Sequence, residues 1–487
     1  MKKRIYFKGL QVRKWILLLA LFSGRVGFAQ DTTTLFFDAF YDQVLRYHPI
    51  SQQALLLPQV AKAELRSARG AFDPSLLTSI DSKKTNGIQS YTYVQPQLKV
   101  PTLIGVDIKA GMDQSMGTSV NPELAKYDYA TGQTKNVQYQ LFYAGVSVPV
   151  LRGLLTDSRR NQLRQAELLK GLNEAEQISQ INKLLLSAAK AYWDWQQNYA
   201  RLQIMRENFE LAKNRKAYIV SRILGGEEKP IDSVEAYIEC IKREAMLAET
   251  ELEFLNSSVE LSTYLWDNTQ TPIQLAPTVK PSAKGSEIHV LSLDSVASLS
   301  SHAYDMHPDV QKMMVKLKQS QLDRKLAVEN LKPQLNLEYY PFQTYTSGSK
   351  DVVDGLLYKN YKFGVTFYSS LFLRKERGKL DLTNYKIQQN EFGLKQGRRD
   401  VQANVLESYN SLTTCQKLIE IQTQLVQNTY LMRNAEEMRF KSGESSLFLV
   451  NQRERALLEA QSKLAELVAK YAKAKYHLQW ASGTKLF

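Results

Sequence analysis

Five histidines and two cysteines are the side chains of this 487-residue chain best suited to metal binding or nucleophilic chemistry. No two histidines have the spacing of a metal site; they are His48, His289, His302, His307 and His477. Cys240 and Cys415 are far apart in the sequence, and their spacing does not indicate whether they pair. The chain also lacks a glycine-rich phosphate loop and a nucleophile elbow. We therefore expect no catalytic residues, no cofactor and no bound metal.

The net charge of +14 first suggests a nucleic acid or an anionic membrane as partner. However, residues 1–14 carry six Lys or Arg residues and no acid, and an apolar run at 15–22 follows. A small-x-Ala site then ends at Ala29, which is the layout of a secretory signal peptide cleaved after Ala29 or Gln30. Removal of residues 1–29 takes away seven positive charges and leaves +7. The remaining basic residues alternate with acids along the chain, so we expect no nucleic-acid partner.

The rest of the chain consists of two similar halves. His48-Pro49 and His307-Pro308 are 259 residues apart, and each is followed 25 residues later by another X-Pro dipeptide. Gly226 and Gly443 match at a second common offset of 217 residues. We therefore predict a signal peptide at 1–29, a first repeat at 30–268, a linker at 269–293 and a second repeat at 294–487. The equivalent positions of His48 and His307 favour a structural role for both.

Proline placement predicts two very long helices. No proline occurs between Pro149 and Pro230, or after Pro341, and apolar residues recur at spacings of three and four. Helices over 156–224 and 374–441 would each be about 100 Å long. Shorter helices at 38–70 and 231–268 together nearly equal the first long helix, so they could stack end to end beside it. An ordinary helical bundle is the alternative.

Alternating segments between the helices predict β-strands. Apolar and polar residues alternate over 104–113, 138–150 and 361–368, about the length that a membrane barrel strand needs. Tyrosines are frequent nearby, as at membrane interfaces. A soluble sandwich with one solvated face would show the same alternation. No stretch of the mature chain approaches 18 consecutive apolar residues, so we expect no membrane-spanning helix.

The order of these elements, repeated once, resembles the TolC-type outer-membrane efflux factors over residues 35–482. Local stretches add to the resemblance. They are Val148–Gly153 followed by Arg159 and Arg160, Ala191-Tyr192-Trp193, Gly226 with Ile231–Ala236, and Phe440–Gly443.

The resemblance implies an α+β membrane protein, a tandem-repeat protomer that forms a homotrimer. Long coiled-coil helices would form a periplasmic α-barrel, and each chain would give four strands to a twelve-stranded β-barrel in outer-membrane lipid. The protein would be the exit duct of a tripartite efflux or type I secretion system, with a periplasmic adaptor and an inner-membrane transporter as partners. One departure is that residues 75–150 contain about four alternating runs instead of two. The excess could be extracellular loop or strand that extends beyond the membrane.

A soluble periplasmic coiled-coil scaffold is the alternative function, and the strand pattern argues against it. A secreted enzyme has no supporting group of residues. The sequence does not indicate the cargo.

The resemblance places a periplasmic gate at the two helical turns. Asp232 matches an acidic residue of the family's closing network, but Phe440, Ser445, Leu449 and Gln452 stand where its tyrosine, arginine and aspartates are expected. We therefore predict an apolar constriction formed by Leu447, Phe448 and Leu449. The alternative is that these side chains only pack the hairpin. The predicted gate set is Gly226, Asp232, Phe440, Gly443, Leu447, Phe448, Leu449 and Gln452.

Charged residues beside the two turns could dock a hairpin of the adaptor. They are Glu227, Glu228, Lys229, Lys441 and Glu444. A purely solvated turn would carry the same residues.

Overall fold

A computed structural model describes residues 34–85, 87–117, 127–128, 133–134, 137–226, 229–282, 293–344 and 361–486. The predicted signal peptide lies outside these residues, as do Glu227 and Glu228. The helices are α1 (Phe37–Tyr47), α2 (Pro49–Arg69), α3 (Ser158–Leu224), α4 (Pro230–Ser262), α5 (Leu293–Met306), α6 (Pro308–Asn330), α7 (Arg374–Lys441) and α8 (Leu447–Ala481). The strands are β1 (Thr34–Leu35), β2 (Ser75–Thr85), β3 (Ile88–Pro101), β4 (Asp107–Gly117), β5 (Tyr127–Asp128), β6 (Gln133–Thr134), β7 (Val137–Pro149), β8 (Lys280–Pro281), β9 (Gln334–Thr344) and β10 (Tyr361–Tyr368).

The two long helices are confirmed. Helix α3 has 67 residues and α7 has 68, so each is about 100 Å long. Helix α2 lies along the first part of α3, where Asn173 donates to the carbonyl of Leu57 at 3.3 Å. Helix α4 lies along the second part, where Arg206 pairs with Glu251 at 3.1 Å. The expected stacking of two short helices beside one long helix is therefore confirmed. No helix in the described part of the chain is both long and apolar enough to cross a membrane.

The predicted helix 38–70 is wrong in one respect, because it breaks at His48. Proline disfavours the helical conformation of the residue before it, and His48 is accordingly extended (ψ 133°). Its Nδ1 accepts a hydrogen bond from the Ile50 amide at 3.2 Å and caps α2. His307 repeats this geometry, with Nδ1 accepting from the Asp309 amide at 3.1 Å. Both histidines are therefore helix caps, as the structural interpretation predicted.

An aromatic core holds the middle of the first repeat together. Tyr192, Trp193 and Trp195 of α3 are fully buried. Tyr192 packs against Phe37 and Phe40 of α1, Trp193 packs against Phe37, and Trp195 stacks on Phe254 of α4. The Tyr192 hydroxyl donates to the Leu35 carbonyl at 2.8 Å, and Trp195 Nε1 donates to the Ser258 hydroxyl at 3.0 Å. The Tyr-Trp motif of the sequence is thus the packing centre between α1, α3 and α4.

One antiparallel sheet combines strands from both repeats, in the order β10-β9-β7-β4-β3-β2. The resemblance implied that each chain gives four strands to this sheet, and the sheet has six. The excess in 75–150 consists of strands β3 and β4 of this sheet and not of loop, and Ser75, at the start of β2, pairs with Lys99, near the end of β3. Paired residues can be followed across five strands, from Pro101 on β3 through Asp107 on β4, Ser147 on β7 and Glu338 on β9 to Gly364 on β10. Each of these residues lies at a different distance from the start of its strand. This stagger is typical of a curled, tilted sheet.

The sheet has two chemically different faces because side chains alternate along each strand. The convex face is apolar and exposed; it includes Leu76, Ile80, Leu98, Ile108, Phe142, Val146, Tyr339, Phe363 and Phe367. The concave face is polar and encloses a space of about 300 Å³. Lys109 pairs there with Glu338 at 3.0 Å, and Gln97 donates to the Tyr143 hydroxyl at 2.9 Å. The predicted polar and apolar strand faces are thus present in one continuous surface.

Candidate functional site

Two equivalent helical hairpins end side by side. Helices α3 and α4 form the first hairpin, and α7 and α8 form the second. Each turn depends on a glycine with left-handed backbone, Gly226 at φ +73° and Gly443 at φ +80°. A residue with a Cβ is disfavoured in this region, so glycine is the residue expected after the helix end. The predicted repeat of the two glycine breaks is confirmed.

A groove of about 530 Å³ separates the two tips. Its lining includes Gly226, Lys229 and Asp232 from the first hairpin and Phe440, Gly443 and Leu447 from the second, together with Ser445 and Ser446. Most of the predicted tip residues are therefore neighbours in space. The Asp232 carboxylate has no side-chain partner among the described residues, and it lies in the first turn of α4, where the helix dipole favours an acid.

The three residues predicted to form an apolar gate lie in two different environments. Leu447 is buried and packs with Phe440, Val450, Ile219 and Ala236 into a small core between the hairpins. Phe448 is 59% exposed and Leu449 is 36% exposed, and Gln452 is exposed as well. Leu447 therefore packs the hairpin, as the alternative predicted, whereas Phe448 and Leu449 are exposed and can face a passage or a partner.

The described charged residues of the tip are solvated. Lys441 is exposed and pairs with Glu437, one helical turn earlier, at 3.3 Å. Lys229 and Glu444 are exposed. Surface ion pairs of this kind contribute little to stability, so these side chains are free to contact a partner without disrupting the tip.

A buried ion cluster connects the two hairpins above the tip. Glu454 of α8 has a side chain only 1% exposed, between two arginines of the first hairpin. Its oxygens are 2.5 Å from Arg215 Nη2 of α3 and 2.6 Å from Arg243 Nη2 of α4. Arg243 also contacts Glu239 at 3.2 Å and donates to the Asn208 carbonyl at 3.2 Å. Three helices from two hairpins are thus joined through one carboxylate.

Opposing effects act on the pKa of Glu454. Burial alone would raise the pKa of its carboxyl group, but hydrogen bonds and attraction from Arg215 and Arg243 outweigh burial and lower it below the usual range. Glu454 is therefore charged at neutral pH, and the two arginines share its charge.

Two further contacts extend the cluster into a seam along α4 and α8. Asn451 donates to Glu235 at 3.2 Å, and Arg455 pairs with Glu239 at 2.9 Å. On α4 the seam positions recur every four residues, so they lie on one helical face. We call this set, Glu235, Glu239, Arg243, Asn451, Glu454, Arg455 and Arg215, the hairpin seam.

Sequence reasoning missed the hairpin seam, although it left a signal. Glu454 interrupts an apolar pattern that includes Val450, Leu457 and Leu458, and it is buried with them. A charged residue at a core position usually has a buried partner. That partner belongs to the other repeat, more than 200 residues away, so the sequence did not identify it.

No group of three potential metal ligands occurs in the described part of the chain. Cys240 and Cys415 are both buried free thiols, which resolves the pairing that the sequence left open.

Comparisons with known proteins agree with this architecture. Residues 299–484 match the family model described as outer membrane efflux protein. No curated protein sequence matches the chain. Among solved structures, the CmeC outer membrane channel of Campylobacter jejuni is 14% identical, with 92% of this chain and 85% of that chain covered at a TM-score of 0.63. VceC of Vibrio cholerae is 15% identical, with 92% and 96% covered at 0.63. The MtrE outer membrane channel of Neisseria gonorrhoeae is 13% identical, with 92% and 88% covered at 0.62.

These identities are low, so the structural likeness establishes the fold alone. The family match covers residues 299–484 of the second repeat, and the solved structures show the same fold over both repeats. The second half of the chain thus matches the outer membrane efflux protein family, and the chain as a whole has the fold of the TolC-like outer-membrane channels.

Proposed function

We propose that this chain is the outer-membrane exit channel of a tripartite efflux or type I secretion system. The channel is a passive homotrimer. An inner-membrane transporter supplies the energy, and a periplasmic adaptor links the transporter to the hairpin tips.

One observation supports this proposal most directly. The curled sheet carries a polar concave face and an exposed apolar convex face, and it continues without a domain break into helices about 100 Å long. An apolar outer surface of this kind is suited to lipid, and a polar inner surface is suited to a water-filled passage. A soluble scaffold with this convex face would expose a large apolar surface to water, and such surfaces promote aggregation.

Membrane extraction tests the proposal. Washing membranes with alkaline carbonate removes peripheral proteins and leaves integral ones. We expect the mature chain to stay in the outer-membrane fraction as a trimer. A chain that carbonate releases, or one that fractionates as a soluble monomer, would support the scaffold and end the channel proposal.

We further propose that the hairpin seam keeps the channel closed at its periplasmic end. The seam joins the two hairpins of one chain close to their tips, so its rupture would allow them to separate. Phe448 and Leu449 are exposed beside it and would narrow the closed passage by excluding water.

Docking of the adaptor is proposed for the exposed charges at the tip. Lys229, Lys441 and Glu444 are exposed, and Glu227 and Glu228 directly precede Lys229 in the sequence. Pull-down of the adaptor by wild-type protein and by a Lys441→Glu variant tests this role. Unchanged recovery of the adaptor with Lys441→Glu would show that Lys441 is only solvated.

A further inference from the structure

The two repeats differ most in the sheet. In both repeats a strand follows a proline, β2 after Pro74 and β9 after Pro333, and in both a strand leads into the long helix, β7 before α3 and β10 before α7. Strands β3 and β4 have no counterpart among the described residues of the second repeat, which are 293–344 and 361–486. They form an additional hairpin inserted between the equivalent strands of the first repeat.

The inserted hairpin is anchored to the top of α3. Its turn connects Pro101 to Asp107, and Arg159 donates to the Asp107 carboxylate at 3.0 Å. Arg160 donates to the carbonyls of Ile104 and Leu154 at 3.4 and 3.1 Å. Gly105 has φ +92°, and a Cβ there would lie 2.8 Å from Arg160 Nη2. The turn is therefore fitted closely to the start of the helix.

The inserted strands are also part of the concave face. Lys109 of β4 pairs with Glu338 of β9, two strands away, at 3.0 Å. Gln95 of β3 donates to Asp113 of β4 at 3.2 Å. Tyr143 of β7 lies over Gly111 of β4, where a Cβ would be only 2.7 Å from its hydroxyl oxygen. Strands β3 and β4 are thus integrated in the wall and are not an appendage to it.

The two outer strands of the sheet, β2 and β10, have the direction and the surface needed to pair with each other between copies of the chain. Within the described residues β2 pairs only with β3, and β10 pairs only with β9. Strand β2 leaves the helical part of the molecule and β10 returns to it, so β2 of one copy and β10 of another would be antiparallel. The convex face remains apolar to both edges, at Leu76 and Ile80 on β2 and at Phe363 and Phe367 on β10. Unpaired edges are not tolerated in lipid.

We propose that three copies join edge to edge, β2 of one on β10 of the next, into one eighteen-stranded wall. This inference rests on the proposed function, which supplies the trimer and the lipid. Three copies of six strands give eighteen instead of twelve. Since the diameter of a closed sheet grows roughly in proportion to its strand number, the passage is about 1.5 times as wide at this level. The hairpin tips, not the sheet, then limit the size of cargo.

Cysteine cross-linking between copies tests the edge. In a Cys240→Ser, Cys415→Ser background, Ser79→Cys on β2 is combined in turn with Lys362→Cys, Gly364→Cys or Thr366→Cys on β10. All four positions are on the concave face by their pairing. A short bismaleimide applied to outer membranes should convert most of the chain into covalent dimers and trimers for at least one pair.

Two control pairs make the result specific. Ser79→Cys with Gln95→Cys, a directly paired position on β3, should link within one chain and give no covalent dimers or trimers. Asp113→Cys on β4 with the same β10 series should also give none, because β4 has partners on both sides.

The outcomes separate this inference from the proposed function. An outer-membrane trimer that cross-links through β4, or through no pair at all, overturns the eighteen-stranded wall and leaves the channel proposal intact. Cross-linked products no larger than a covalent dimer also overturn the eighteen-stranded wall, since two copies would close a sheet of twelve strands. Release of the chain by carbonate overturns the channel proposal itself.

Discussion

Removing the charge of Glu454 should open the periplasmic end of the channel. Glu454→Gln keeps the shape of the side chain but deprives Arg215 and Arg243 of the carboxylate that they share. Both arginines belong to the first hairpin, and their side chains are only 11% and 4% exposed. The variant therefore leaves buried positive charge at the contact between the hairpins.

The burial of this ion cluster sets the free-energy cost of the Glu454→Gln substitution. Breaking a buried ion pair by removing one partner costs about 3–5 kcal/mol. Arg243 keeps its contact with Glu239 at 3.2 Å, which places the cost toward the lower end. If the contact is lost when the hairpins separate, about 3 kcal/mol shifts the equilibrium between closed and open tips by more than about 100-fold per chain.

Single-channel recording in planar bilayers measures this shift. We expect wild-type protein to be mostly closed and Glu454→Gln to be mostly open at neutral pH. The matched control is Glu466→Gln on the same helix, where the carboxylate is 45% exposed and pairs with Lys463 at 2.8 Å. Such a surface pair is worth about 0–1 kcal/mol, so the control should behave as wild type. Equal conductance of Glu454→Gln and wild type, or equal opening of both variants, would refute the role of the hairpin seam.

Three other predictions address the tip and the caps. Phe448→Ser with Leu449→Ser should raise the conductance of the closed state, and an unchanged closed-state conductance would show that the tip is not an apolar gate. Gly443→Ala should lower the unfolding temperature, because its left-handed backbone costs a residue with a Cβ about 1–2 kcal/mol, whereas Gly378→Ala inside α7 should raise it. Burial lowers the pKa of His307, so the cap is stable above the pKa of the unfolded chain, about 6.5, and weakens as the pH falls below it. His307→Asn keeps a cap that does not titrate, and its unfolding temperature should depend less on pH between about 7 and 5 than that of wild type.

Helix positions were predictable from sequence because the rule that sets them is local. Helix α7 was predicted at 374–441 and spans Arg374–Lys441, and α3 was predicted at 156–224 and spans Ser158–Leu224. Proline and glycine mark helix ends wherever they occur, without help from the rest of the fold. The break at His48 followed the same local rule, but the prediction did not apply it.

The strand count was harder to predict because strand pairing is not local. Alternation showed about four strand-like runs in 75–150, but whether they lie side by side depends on partners elsewhere. Lys109 and Glu338 are 229 residues apart in the sequence and meet only because β4, β7 and β9 are neighbours in one sheet. The family resemblance suggested two strands in this region, and the six-stranded sheet takes four of its strands from it.

The hairpin seam was unpredictable for the same reason. Arg243 and Glu454 are separated by 211 residues, and each belongs to a helix whose surface is rich in charge. The apolar pattern around Glu454 indicates that this residue is buried, but the sequence does not show which of the many arginines is its partner. The expectation that the tip lacks the tyrosine, arginine and aspartates of the family's closing network stays a prediction; in the gating role that we propose, Glu454, Arg215 and Arg243 would supply an acid and two guanidinium groups above the tip.

Conductance of the purified trimer is the decisive measurement of whether this chain forms a channel. In a planar bilayer, we expect discrete ion-conducting steps that are rare for wild type and frequent for Glu454→Gln. A correctly folded trimer that conducts in neither form would contradict the assignment of this chain as an outer-membrane channel.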